Sequence, residues 1–263
     1  MADLEALFAD LTAEGDELDR LVADLEPAAW QTDTPAAGWT IAHQIGHLYW
    51  TDKVAAIAAT EAGEFQKLVE AALPKALTFV DEAAEEAATI PAPELLAAWR
   101  TERTALVEAL RGVPAGTKLP WFGPPMSVAS MATARLMETW AHGQDVADAL
   151  GVTRTPTPRL RHVAHLGVRT RNFAYMTHGR SAPAEEFRIE LTAPDGSLWT
   201  WGPEAAAQRI TGPALDFCLL VTQRRHIDDL TLAVHGADAL EWLGLAQAFA
   251  GPPGSGRTAG QFL

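Results

Sequence analysis

A single cysteine, Cys218, stands among the 263 residues of the chain. One thiol excludes an intrachain disulfide and any zinc cage built on cysteines. Its setting, "LDFCLLV", is that of a small buried hydrophobe, so thiol chemistry would need a thiol brought in from outside. Net positive charge is lacking as well: 34 Asp and Glu against 20 Lys and Arg give −14. Such a balance repels phosphate backbones and anionic lipid surfaces, so neither a nucleic-acid nor a membrane partner is expected. No apolar run approaches the ~20 residues that span a bilayer. The start, "MADLEALFADLTAEGDELDR", has no basic n-region, and a cytoplasmic location is expected.

Helical periodicity is what the first 150 residues do contain. Leu4, Leu7, Phe8, Leu11 and Leu18 recur at helical spacing, and "PAAWQTDTPAAGW" follows as a turn-rich loop. A second helix is expected from Thr40 as N-cap, through His43 and His47, to about Thr60. "EFQKLVEAALPKALTFVDEAAEEAA" is helical on both sides of Pro74, with a kink or break there. "PELLAAWRTERTALVEALRGV" is a helix begun near Pro93 and ended near Gly112, and "GTKLPWFGPPMS" is a loop. "SVASMATARLMETWAHGQDVADALG" is a last helix closed by Gly151. Long helices with short links predict an antiparallel bundle over residues 1–151.

The pattern changes after "VTRTPTP", which reads as a linker, and a small α/β module is expected over 158–263. "RLRHVAHLGVRTR" reads as an amphipathic helix between the domains, with an RNA-binding patch as the sharper alternative. "EEFRIEL" alternates in the strand period, and Asp195-Gly196 marks a hairpin turn after it. "ITGPALDFCLLVTQRR" reads as a helix, "LTLAVHG" as a short strand, and "ADALEWLGLAQAFAG" as a closing helix.

Two pairs of residues carry possible chemistry. His43 and His47 stand one helical turn apart, as do Glu138 and His142 in the last bundle helix. Inward-facing residues on bundle helices build metal sites, and His47, Glu138 and His142 make a set of two imidazoles and one carboxylate. Three protein ligands leave coordination positions open, as a catalytic ion requires. Zinc suits the set best, and nickel or iron would also accept it. His43, nearer the helix start, would face the open position as a general base for the thiol or a hydrogen-bond donor to substrate; a fourth ligand or a bystander are the alternatives. Asp145 or Asp52 could orient an imidazole, although Asp52 reads more readily as part of a solvated acidic face.

"GWTIAHQIGHL", "ETWAHGQDVADALG" and the later "DGSLW…ITGPALDFCLLVTQRR" together resemble the mycothiol-dependent maleylpyruvate isomerase family, within the DinB-like metal-binding superfamily. The tail "AQAFAGPPGSGR" resembles a branch labelled with wyosine formation. The resemblance implies a DinB-like four-helix bundle followed by a sterol-carrier-protein-like α/β domain. It places the metal ligands on His47, Glu138 and His142, and a substrate-holding cation on Arg224 or Arg225. It also implies mycothiol or a similar low-molecular-weight thiol as cosubstrate, acting on a small electrophile by isomerisation or S-transfer. A thiol-independent Lewis-acid enzyme and a non-catalytic metal or apolar-ligand binder are the rival functions. The oligomeric state is left open.

Overall fold

The computed structural model describes residues 3–262, which divide into two compact units, Met1–Arg154 and Thr155–Leu263. In the first unit, α1 (Leu4–Val22) opens on Asp3, whose carboxylate accepts the backbone N–H groups of Glu5 and Ala6. That cap serves two amides the helix itself leaves unpaired. Helix α2 spans Ile41–Thr60, α5 Ala92–Gly112 and α6 Val128–Leu150, and with α1 these are the four long helices of the bundle. Between α2 and α5 the chain makes α3 (Ala62–Ala72), a tight turn at Leu73–Lys75 and α4 (Phe79–Ala88). Pro74 therefore breaks the helix rather than kinking it, since it cannot donate to the preceding turn. Gly151, at φ 65°, closes α6 in the left-handed conformation a side chain would disfavour.

Helix α2 is the centre of this unit and packs against α3, α4, α5 and α6. Its Ile41, Ile45 and Leu48 are fully buried with Trp99 of α5 and Val146 of α6. Gly46 sets the approach of α4: a Cβ there would lie 2.8 Å from the Cβ of Ala87. Because α2 is covered on several sides, its polar residues are covered too, and Gln44, His47, Thr51 and Asp52 are all buried. Burying such groups is costly unless each finds a partner, so this helix must be read by its partners.

The loop before α6 contains a minimal ladder, β1 (Lys118–Leu119) against β2 (Met126–Ser127). In the second unit α7 (Leu160–Arg169) and α8 (Arg171–Thr177) precede a four-stranded sheet. The strands are β3 (Arg188–Thr192), β4 (Leu198–Trp201), β5 (Arg209–Pro213) and β6 (Ala233–His235), in the order β4-β3-β5-β6. The β3–β4 hairpin turns through Gly196 at φ 83°. The β3–β5 pair is parallel and aligns Ile189 with Ile210, putting both side chains in the core.

Two expectations are corrected here. "RITGP" is strand β5, and only Ala214–Val221 is helical, as α9. The strand exists because β3 and β6 supply its ladder partners, which no local pattern displays. The closing helix is shorter than expected, α10 at Ala237–Leu243, stopping at Gly244. Cys218 is buried in α9, where its S–H faces the Leu160 carbonyl at 3.4 Å, and burial pushes its thiol pKa up. No described helix is long and apolar enough to cross a membrane.

Candidate metal centre

Helices α2 and α6 bring His47, Glu138 and His142 together. Each offers one ligand atom, and the three atoms lie within 4.8 Å of one another. Nε2 of His142 is 3.2 Å and Nε2 of His47 3.4 Å from the same oxygen, Oε2 of Glu138. The i, i+4 spacing in α6 accounts for the first contact, and the packing of α2 on α6 for the second. Burial disfavours the Glu138 charge, but the contacts with His142 and His47 outweigh it and hold the carboxyl well below the usual range. A carboxylate kept ionised between two imidazoles is a set that could hold one divalent cation. His47 Nδ1 is buried without a hydrogen-bond partner, so the fold has fixed this ring by packing and by its Nε2 side.

Trp39, in the loop before α2, walls the cluster. Its ring stacks on His142 with centroids 5.8 Å apart and tilts against His47 at 5.4 Å. Trp39 Nε1 donates to Asp81 of α4 at 3.2 Å. Behind the wall, Gln44 Oε1 lies 2.5 Å from His142 Nδ1, while Gln44 Nε2 donates to Thr34 Oγ1 at 2.8 Å. The Thr34 hydroxyl in turn donates to the Trp39 carbonyl at 2.8 Å.

His43 stands apart from the cluster. Its Nδ1 accepts the Thr40 backbone N–H at 3.2 Å and lies 2.8 Å from the Thr40 hydroxyl. Its Nε2 therefore carries the proton and donates to Glu85 of α4 at 2.8 Å. Nδ1 thus closes the first turn of α2, a capping box with histidine in the third position, while Nε2 ties that turn to α4.

Asp52 is not on a solvated face. It is buried, receiving Arg135 Nε of α6 at 2.9 Å and Trp99 Nε1 of α5 at 3.2 Å. Burial pushes its carboxyl up from the usual value against the pull of Arg135. The pair ties three helices together, and it neutralises a guanidinium one turn from Glu138 that would otherwise oppose a cation. Asp145 is also fully buried. Trp140 is core, with the Arg154 guanidinium over its ring, while Trp50 and Trp121 join Phe65, Phe79 and Phe122 in an aromatic cluster.

In the second unit Arg224 and Arg225 follow Gln223, which takes a left-handed turn at φ 59° after α9. Arg224 Nη1 donates to the Thr222 carbonyl at 2.6 Å, and the Arg225 guanidinium lies over the Phe262 ring at 3.9 Å. Sequence reasoning missed Gln44, Thr34, Trp39 and Arg135. Arg135 did leave a signal, as a charged residue inside a largely apolar helical run.

A four-helix bundle carrying a His–Glu–His cluster between two of its helices, followed by a small α/β unit, is a DinB-like fold. The model of the mycothiol maleylpyruvate isomerase N-terminal domain matches residues 11–147, and the chain belongs to that family. Residues 183–235 match a second model, described as wyosine base formation; the tail in which that label was expected lies outside this stretch. Two Mycobacterium tuberculosis proteins, Uncharacterized protein MT0041 (strain CDC 1551 / Oshkosh) and Uncharacterized protein Rv0036c (strain ATCC 25618 / H37Rv), are each 59% identical over 257 residues. The alignment covers 98% of this chain and 100% of each relative. Two crystal structures of mycothiol-dependent maleylpyruvate isomerase, one a histidine-to-alanine variant, superpose with TM-scores of 0.57 and 0.58. They share 16% identity and cover 88% of this chain and 92% of theirs, a likeness of fold.

Proposed function

We propose that this protein is a metal-dependent enzyme that uses a low-molecular-weight thiol, mycothiol or a close relative, to isomerise or conjugate a small electrophile. The observation that carries the reading is the convergence of His47, Glu138 and His142 on one point between α2 and α6. Membership of the mycothiol maleylpyruvate isomerase family supports the thiol. The three residues would hold one divalent ion, zinc being the first choice and nickel or iron next. When bound with positions left open, such an ion lowers the pKa of a thiol and favours thiolate at neutral pH. Trp39 shields the two imidazoles from solvent on one side, and Glu138 keeps the charge that matches a cation. The buried Cys218, its thiol pKa raised, does not compete as nucleophile. Arg224 or Arg225 would bind an anionic group of thiol or substrate, since guanidinium suits bidentate carboxylate recognition.

Turnover of maleylpyruvate, the first electrophile to try, is expected only when both mycothiol and a divalent metal are supplied. Turnover without thiol would favour direct Lewis-acid chemistry on the substrate instead. In the same assay, Arg224→Met or Arg225→Met should weaken turnover while metal content stays unchanged. Full activity in both variants would leave the arginines without a part in turnover.

His43 is better suited to holding α2 than to accepting a proton, because its bare nitrogen already faces Thr40. His43→Ala is therefore expected to keep the metal and most of the turnover. It should lose about 1 kcal/mol of stability, the usual worth of a helix cap. A fall in turnover by the roughly 10²–10⁴-fold of a lost acid–base group would restore the catalytic role.

A further inference from the structure

We infer that Gln44 is a positioning residue that fixes which nitrogen of His142 can bind the ion; this rests on the metal site proposed above. The argument is one of protons. The Thr34 hydroxyl has a single proton, and it goes to the Trp39 carbonyl 2.8 Å away. Thr34 Oγ1 must then accept from the Gln44 amide, which sets the NH2 end of that side chain toward Thr34. The carbonyl end, Oε1, is thereby turned to His142 Nδ1 at 2.5 Å. Two acceptors cannot share that contact, so Nδ1 carries a proton. Nε2, the nitrogen beside Glu138 Oε2, is left as the ligating atom.

The relay starts at a backbone carbonyl and ends at a metal ligand, so the loop carrying Trp39 and the orientation of His142 are set together. Gln44 is fully buried. The choice of an amide has a chemical consequence. A carboxylate in this place would raise the basicity of the imidazole and donate charge toward the ion, whereas the neutral amide orients the ring without doing so. Gln44 also lies three residues before His47 on the same helix, so α2 supplies one ligand and orients the other.

The test compares zinc binding, by competition with a chromophoric chelator, in wild type, Gln44→Leu and Gln44→Glu. Gln44→Leu should weaken zinc affinity by roughly 10–100-fold, the range found when a partner of a metal-bound histidine is removed. Gln44→Glu keeps an acceptor facing Nδ1, and the Thr34 hydroxyl, also within reach of the side-chain position, can turn its proton from the Trp39 carbonyl to the second carboxylate oxygen. This variant should therefore restore the wild-type affinity or exceed it. A merely structural role would not give this ordering, because the buried charge of the glutamate would harm packing at least as much. Equal zinc affinity in wild type and Gln44→Leu overturns the inference while leaving the metal site intact. Absence of zinc binding in wild type overturns the site itself. Should Gln44→Leu fail to fold, nitrogen-15 spectra of zinc-loaded wild type decide the matter. A protonated His142 Nδ1 with a metal-bound Nε2 is expected, and the reverse assignment refutes the relay.

Discussion

His142→Ala should leave the protein folded and without its ion. The imidazole is one of the three donors proposed for the ion, and losing it would leave a carboxylate and one ring, too few to compete with solvent for zinc. Elemental analysis of wild type should give about one equivalent of metal, the stoichiometry of a single three-ligand site, and the variant close to none. His47→Ala should behave alike, because His47 Nε2 meets the same carboxylate oxygen from the other helix. The bundle itself does not depend on these rings: its core is Ile41, Ile45, Leu48, Trp99 and their neighbours. Circular dichroism of both variants should therefore match wild type. Equal metal content in wild type and His142→Ala would move the ion elsewhere or dismiss it.

The second large effect concerns the Asp52–Arg135 pair, which holds α2, α5 and α6 together beneath the cluster. Removing one partner of a buried ion pair costs about 3–5 kcal/mol, because the other charge is left without compensation. For a unit of this size that is a fall in melting temperature of roughly 6–20 °C. The two sides should not be equivalent. Asp52→Asn strands a guanidinium that cannot lose its proton, and should be the worse variant. Arg135→Met strands a carboxyl whose pKa burial already raises, and which can protonate instead. A folded-state pKa above the unfolded one contributes stability at low pH that is lost as pH rises through it. Arg135→Met should therefore recover stability relative to wild type as the pH falls, and Asp52→Asn should not. The combined Asp52→Leu, Arg135→Met protein should lose less than either single variant, since no charge remains buried. Thermal melts across pH check all three; equal losses without pH dependence would contradict the account.

The helices and their breaks at Pro74 and Gly151 were legible in the sequence because each depends on spacing within one element. The grouping of His47, Glu138 and His142 was foreshadowed by the i, i+4 pair in α6 and a buried histidine on α2. The four-residue step from Glu138 to His142 is a local fact; so is the apolar run around His47. What sequence did not reveal depends on register between elements. Gln44 meets His142 across 98 residues and Asp52 meets Arg135 across 83, and those pairings exist only once α2 is docked on α6. The misreading of β5 has the same origin, since its ladder partners come from β3 and β6. His43 shows the converse: its helical position was legible, but its partner was not, since Gly46 admits α4 close enough for Glu85 to accept a hydrogen bond from its Nε2.

Calorimetric titration of mycothiol into zinc-loaded and chelator-stripped wild type tests the central claim most directly, because it reads metal dependence and thiol use together. The account predicts saturable binding to the loaded protein and loss of that binding after stripping, with the helical content unchanged. Equal binding to both forms, or none to the loaded one, would contradict it.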